Sequence, residues 1–379
     1  MPDKKLLGGN DKVRVAVAQA APVFMDKART IDKVCHLLQE AGSHGAQLVV
    51  FPETFIPAYP AWYTGGWESP PKEWSTYMLA LQDNAVVVGS QDTEVLGQAC
   101  RQAGVYAAIG INELDNRPGS RTIYNTLLFL GRDGRLLGRH RKLMPTYTER
   151  TYWGWGDASD LFVLDTDIGR IGGLICGENM MVLMKAAMMS QGEEFHIAVW
   201  PGAWSGHSQA TLMDPETDPQ GGTCPIYPLI RSYALEAQCF VLSAGSLLRP
   251  QDFPEKWHHL VSSHHLNCSA AVGGSAMVNP FGRFMAGPNF GQETLLYADC
   301  QASQIKLAKV LFDLLGHYSR WDIVRLQVRQ EPWGPLVKSG HAFAMEVPQD
   351  ELKRISQEHQ VSLEKLEEIV SELHKAASI

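Results

Sequence analysis

Cys176 stands where an apolar run, Ile171-Gly172-Gly173-Leu174-Ile175, gives way to Gly177, Glu178, Asn179 and a helical stretch. A cysteine at such a strand-to-helix junction places its sulfur near unpaired amides, whose partial positive charge favours the nucleophilic thiolate. Alone it would carry little, because most free cysteines are small buried hydrophobes. Two other segments have the same form. Leu48-Val49-Val50-Phe51 is followed by Pro52 and Glu53; Leu136 to Lys142 ends in Arg-His-Arg-Lys and is followed by Glu149 and Arg150. Open α/β sheets bind ligands beyond the carboxyl ends of their strands, so three strand ends can bring a carboxylate, an ammonium and a thiol together. Each has an ordinary alternative: Glu53 as a cap, Lys142 as one charge of a basic run, Glu149 as the partner of Arg150. Their joint occurrence favours a nucleophile, a base and a cation in one site.

The segments FPETFIPAYPAWY (51–63), HRKLMPTYTERTYW (140–153) and GGLICGENM (172–180) carry these residues. In order and spacing they resemble the three signature blocks of the nitrilase branch of the carbon-nitrogen hydrolase superfamily. The resemblance runs from about Val13 to about Arg325, with further similar stretches at 273–280 and 316–320. It implies that Glu53, Lys142 and Cys176 are catalytic and that Glu149 assists. Many nitrile-active members have tryptophan after the cysteine, where this chain has Gly177, which bears on substrate preference.

The implied chemistry explains the residue types. A nitrile carbon is a poor electrophile, so a thiolate is needed to attack it. Glu53 would take the thiol proton and later activate water. Lys142, with the Gly177 amide, would stabilise the charge that develops at the tetrahedral stage, and Glu149 would orient Lys142. The expected path is thioimidate, loss of ammonia, thioester and acid, with no metal and no cofactor. An amidase, or a hydratase acting on a nitrile or cyanide, could use the same groups; an inactive assembly protein would have no reason to keep all four.

Elements that could position these groups alternate along the chain. Val13 to Gln19 reads as a strand, Lys27 to Ala41 as an amphipathic helix with Ile31, Val34, Leu37 and Leu38 on one side, and Leu48 to Phe51 as a strand. Tyr106 to Asn112, Ile123 to Leu130 and Leu136 to Lys142 read as strands, the last two joined by a hairpin at Gly131-Arg132-Asp133-Gly134. Further strands are expected at Leu161–Leu164, Ile171–Ile175, Ile197–Trp200 and Phe240–Ala244, helices at Val182–Ser190 and Leu229–Ala237, and a polar loop from Ser205 to Thr223. Mixed βαβ units and hairpins predict an α/β fold of sheets between helices. The resemblance makes this a four-layer α-β-β-α sandwich over residues 1–332, with protomers that pair into homodimers.

The 379 residues carry 33 Lys plus Arg against 41 Asp plus Glu, a formal charge of −8, which argues against a nucleic-acid footprint. No run is long and apolar enough for a membrane span, and Met1 to Asn10 is too polar for a secretory signal. Seven irregularly placed cysteines suit a reducing, cytoplasmic setting rather than a disulfide framework. Trp62, Trp67, Trp153, Trp155, Trp200 and Trp204 lie near the three blocks, as core filling or pocket lining; Tyr59, Trp153, Trp200 and Gly177 are the candidates for contact with substrate. His258, His259, His264 and His265 lack metal-ligand spacing and read as a surface excursion. Asn125 reads as a sheet residue. Residues 333–379 form a charged helical extension whose stripe of Leu363, Leu366, Ile369, Val370 and Leu373 must dock, on its own subunit or on another. Relatives with such tails often assemble into spirals or filaments.

Overall fold

The computed structural model describes residues 5–60, 74–202, 226–258, 271–332, 349–359 and 361–376, with side chains to 371. The chain divides into two compact units, Met1–Glu331 and Pro332–Ile379.

Among the described residues of the first unit, twelve strands form two six-stranded sheets. They are β1 (Lys12–Gln19), β2 (Leu48–Val50), β3 (Tyr106–Leu114), β4 (Ile123–Leu130), β5 (Leu136–Arg141), β6 (Leu164–Thr166), β7 (Gly169–Ile175), β8 (Phe195–Trp200), β9 (Phe240–Gly245), β10 (Gly273–Val278), β11 (Phe284–Phe290) and β12 (Thr294–Gln301). One sheet has the order β12-β1-β2-β3-β4-β5 and the other β11-β10-β9-β8-β7-β6. Each has a parallel centre, β1-β2-β3 or β7-β8-β9, and antiparallel flanks. The helices are α1 (Lys27–Ser43), α2 (Trp74–Asn84), α3 (Gln91–Ala103), α4 (Val182–Met189), α5 (Ile226–Ala237) and α6 (Ala302–Leu311).

Alternation along the strands builds the layers. On β4, Leu127 and Phe129 join a core with Leu174, Ile197 and Leu242 of the second sheet, whereas Leu128 and Leu130 pack with Ile31, Val34 and Leu38 of α1 and Leu96 and Cys100 of α3. Ile230, Tyr233 and Ala234 of α5 cover the second sheet. The result is a sandwich of two sheets between helices. Truncating a fully buried member such as Leu174 to alanine should cost about 2–5 kcal/mol.

Most expected elements are present, with three differences. Leu161 to Val163 is not a strand: the Gln191 amide accepts from Val163 N (3.2 Å) and donates to Leu161 O (3.4 Å), so a side chain replaces a ladder partner and β6 starts only at Leu164. The strands β10 to β12 and the helices α2, α3 and α6 add to the expected set. In the second unit the helical tail is two helices in contact, α7 (Gln349–His359) and α8 (Leu363–Ala376). Ser362 accepts from Lys365 N at 3.3 Å at the start of α8, and of the apolar stripe Leu363, Leu366 and Val370 are half-buried while Ile369 is exposed. The Leu373 side chain lies outside the described residues. So do Cys224 and Cys268; the five described cysteines are free. Among the described residues no helix is long and apolar enough to cross a membrane.

Candidate active site

The three strand ends named from sequence meet at one end of the sandwich. After β2 the chain does not turn away but runs along β3, with Phe51 N donating to Ala108 O (2.8 Å), Ile56 N to Gly110 O (3.1 Å) and Asn112 N to Ile56 O (2.8 Å). Glycine is required at 110, because a Cβ there would lie 2.0 Å from Pro52 O. That close approach buries Glu53 completely. Asn112 secures the next stretch: its Nδ2 donates to Ala58 O (2.9 Å) and its Oδ1 accepts from Trp153 Nε1 (2.9 Å).

Lys142 continues β5 by one residue, its amide donating to Asn125 O at 2.8 Å. The chain then enters a 3₁₀ turn, Tyr147–Thr151, capped by the Glu149 carboxylate on Thr146 N at 2.6 Å. The same Oε2 accepts from Lys142 Nζ at 2.8 Å, and Oε1 accepts from the Tyr59 hydroxyl at 2.8 Å. On its other side Lys142 Nζ donates to Glu53 Oε1 at 2.8 Å, and Asn125 Nδ2 donates to that oxygen at 2.6 Å. Glu53 Oε2 is buried and has no hydrogen-bond partner among the described residues. Such an atom is costly unless something else approaches it. The Trp153 ring lies 5.7 Å from Lys142 Nζ and 5.5 Å from the Tyr59 ring.

Cys176 opens the turn Cys176–Met180 in a left-handed conformation, φ 51°. This strained geometry at a strand end is common where a side chain must be presented. Here the expectation of a helix-stabilised thiolate fails. The element is a five-residue 3₁₀ turn, α4 begins only at Val182, and the Glu178 carboxylate accepts from Ile175 N, the amide just before the turn, at 2.8 Å. Burial and the Glu53 charge push the Cys176 thiol well up and outweigh the opposing pulls of Lys142 and the Gly177 amide, so the resting sulfur carries its proton. Burial, reinforced by Glu149 and opposed by Lys142 and Asn125, pushes Glu53 up to about 7. Burial works against the Lys142 cation, but Glu53 and Glu149 outweigh it and raise its pKa well above the usual lysine range.

Of the candidate contact residues, Tyr59 and Trp153 belong to this cluster and Gly177 adjoins Cys176. Trp200, at the end of β8, lies one step past the Ile175–Val199 pair of the β7–β8 ladder, beside Cys176 and in the same core. It is buried in the main core, with Nε1 donating to Ser243 Oγ at 3.0 Å, on the face of β8 that it shares with His196, whose ring stacks on Tyr233 of α5. Trp155 is 47% exposed and thus not core filling. Trp62, Trp67, Trp204, the Ser205 to Thr223 loop, His259, His264 and His265 lie outside the described residues; His258 Nε2 pairs with Phe253 O at 2.9 Å. Asn125 is a sheet residue as read, but also a direct partner of Glu53. The available signal was its place on the inward-facing side of an apolar strand, in register with Asn112.

A match to the family described as Carbon-nitrogen hydrolase spans residues 14–310. The chain is 39% identical to an aliphatic nitrilase of Sinorhizobium fredii (strain HH103), over 86% of this chain and 98% of that one. It is 38% identical to a protein named Nitrilase 2 from an unknown prokaryotic organism, covering 85% and 94%. A bifunctional nitrilase/nitrile hydratase of Lupinus angustifolius is 36% identical, covering 86% and 88%. Among solved structures, Saccharomyces cerevisiae Nit3 superposes with a TM-score of 0.60 at 21% identity, covering 81% of this chain and 97% of that one. A carbon-nitrogen hydrolase of Helicobacter pylori G27 gives 0.62 at 18%, covering 82% and 96%. With the three strand ends gathered in a two-sheet sandwich and sequence likeness over most of its length, the chain belongs to the carbon-nitrogen hydrolase family, in its nitrilase branch.

Proposed function

We propose that this enzyme is a nitrilase converting a nitrile and two waters into a carboxylic acid and ammonia, with Cys176 as nucleophile, Glu53 as base and acid, Lys142 as the stabilising cation and Glu149 as its orienting partner. The observation that carries the reading is the division of labour on Glu53. One oxygen is fixed by Lys142 (2.8 Å) and Asn125 (2.6 Å), while the other is buried and unpartnered among the described residues, available for a proton. Glu53 Oε2 takes the Sγ proton as sulfur bonds to the nitrile carbon, and the nitrogen receives a proton to give the thioimidate. Water adds with Glu53 as base, the C–N bond breaks, and ammonia leaves a thioester. A second water cleaves the C–S bond, and the thiol regains its proton. Lys142 and the Gly177 amide face the charge developing at each tetrahedral stage.

Tyr59, Trp153 and Gly177 would border the substrate, because the first two enclose the lysine and the third follows the nucleophile. The names of the relatives support a nitrile substrate, and the bifunctional ones make the amide a candidate second product. We infer a homodimer, a catalytic region of residues 1–332 and a helical extension, 333–379, serving larger spiral assembly. The free state of the described cysteines suits a reducing, cytoplasmic setting.

The deciding experiment follows ammonia release and product identity on aliphatic, aromatic and arylaceto nitriles and their amides, for wild type and Cys176→Ala. Acid and ammonia from nitriles, absent in a folded Cys176→Ala sample, are expected. Turnover of amides alone would make it an amidase, amide as sole product a hydratase, and turnover by Cys176→Ala would overturn the nucleophile.

A further inference from the structure

Lys142 and Cys176 belong to different sheets, so the distance between them is fixed only as well as the sheets are held together at this end. Lys142 directly follows β5, an edge strand of the first sheet, and Cys176 directly follows β7 of the second. One side chain touches the flanks of both. Glu178 is buried, with Oε1 accepting from Leu143 N at 2.7 Å, next to Lys142, and Oε2 accepting from Ile175 N at 2.8 Å, next to Cys176. Oε2 also pairs with His140 Nε2 at 2.8 Å, two residues before Lys142 on the same strand.

The charge state of this pair follows from its partners. His140 is 2% exposed, and its other ring nitrogen faces Asp160 O at 3.3 Å. Both nitrogens therefore face acceptors, and only the imidazolium supplies a donor to each. Burial opposes that cation, yet Glu178 and Asp160 raise its pKa; burial likewise opposes the Glu178 anion, yet His140 and the two amides hold its pKa down. A buried carboxylate with three donors is fully satisfied, and removing one donor or one oxygen is costly.

We propose that Glu178, backed by His140, is the positioning residue that sets the Lys142–Cys176 spacing across the two sheets. The inference rests on Lys142 and Cys176 being the reacting pair. Glutamine at 178 cannot reproduce the clamp: turned one way its NH₂ meets Leu143 N, and turned the other it meets Ile175 N, even where a neutral His140 accepts from it at Nε2. Either way one of the two flanks is released. Aspartate keeps the charge but reaches one methylene less, so it can hold one flank only. A displacement of about 1 Å at reacting atoms costs about a hundredfold in rate.

The test measures kcat and KM on the best nitrile, per Cys176 titrated with iodoacetamide and located by peptide mass, together with thermal unfolding. Glu178→Gln and Glu178→Asp should each lose about a hundredfold in kcat per titrated thiol, with KM changed no more than about threefold. His140→Gln keeps a donor without the charge and should lose only about tenfold. A merely structural role would instead lower the unfolding temperature and the number of titratable thiols, leaving kcat per thiol intact. That result in either Glu178 variant overturns the proposal, as does failure of all three variants to fold, which would make the pair a determinant of folding. Wild-type turnover abolished by Cys176→Ala shows separately whether the underlying catalytic reading stands.

Discussion

Replacing Asn125 by leucine should slow the enzyme in neutral solution and leave it nearly unimpaired in alkali. Asn125 Nδ2 donates to Glu53 Oε1 at 2.6 Å, and this bond is one of the influences holding the Glu53 pKa down to about 7 against burial. A hydrogen bond to a charged group is worth about 1.5–3 kcal/mol, and a pKa unit about 1.4, so its loss should raise Glu53 by about one to two units. A base half ionised at pH 7 would then be between about a tenth and about a hundredth ionised, a roughly five- to fiftyfold fall in kcat/KM that disappears above the new pKa. Stability should follow the same ionisation. A carboxylate whose folded pKa lies above its unfolded value favours the fold at low pH and loses that contribution as pH rises through the folded pKa. The variant should therefore resemble wild type near pH 6 and be less stable by about 1.5–3 kcal/mol near pH 9. Near pH 6 the loss is small because Asn125 Oδ1 is itself buried without a partner among the described residues, so leucine also removes an unfavourable group. The assay is the pH profile of kcat/KM, with thermal unfolding at both pH values. An acid limb that stays in place while activity falls equally at every pH would refute charge tuning and leave Asn125 an orienting role only.

Other perturbations test other parts of the site. Lys142→Ala should lower kcat by about a hundred- to a thousandfold and destabilise the fold by about 3–5 kcal/mol, because Glu53 and Glu149 would share a buried site without their cation; retention of more than a few per cent of activity would refute its role. Gly177→Trp should fold, since an added Cβ meets only Thr146 Oγ1 at 3.5 Å, and should change the ranking of nitriles or the amide-to-acid ratio; unchanged selectivity in a folded variant would exclude this position. Deleting residues 348–379 should leave a folded dimer and shift the mass distribution, read by light scattering after size exclusion, away from larger oligomers; an unchanged distribution would mean that the tail does not mediate assembly.

The catalytic candidates were legible because Lys142 and Cys176 lie immediately beyond a strand, and Glu53 three residues beyond one, where the hydrophobic pattern stops at a residue capable of chemistry. What the pattern could not convey is which neighbours satisfy that residue. Asn125 looks like any polar residue in a strand until β3 and β4 are in register and the Glu53 loop is laid over Gly110. The misread thiolate has a similar origin. Ile171 to Ile175 followed by a helical stretch suggests a strand feeding straight into a helix, but a left-handed Cys176 and a capping Glu178 interpose a short turn. Leu161 to Val163 has strand composition, but Gln191 reaches its backbone first.

The raised thiol and the raised carboxylate are compatible once the cluster is treated as a whole. Glu53⁻, Lys142⁺, Glu149⁻ and a neutral thiol carry one net negative charge. Releasing the thiol proton to solvent would make it two in a fully buried site, which is why burial and Glu53 both push the Cys176 pKa up. Passing the proton to Glu53 Oε2 leaves the total unchanged: the sulfur gains the negative charge that the carboxylate gives up, and Lys142 still stands between two anions. The transfer thus avoids the desolvation penalty that blocks ionisation toward water, and it needs a carboxylate poised near neutrality rather than an acidic one. Glu149 serves this arrangement twice, holding Lys142 at 2.8 Å and adding the negative charge that helps to bring Glu53 into that range. In the proposed mechanism the thiol, ionised by internal transfer, becomes a nucleophile when a substrate carbon is present to take the electron pair.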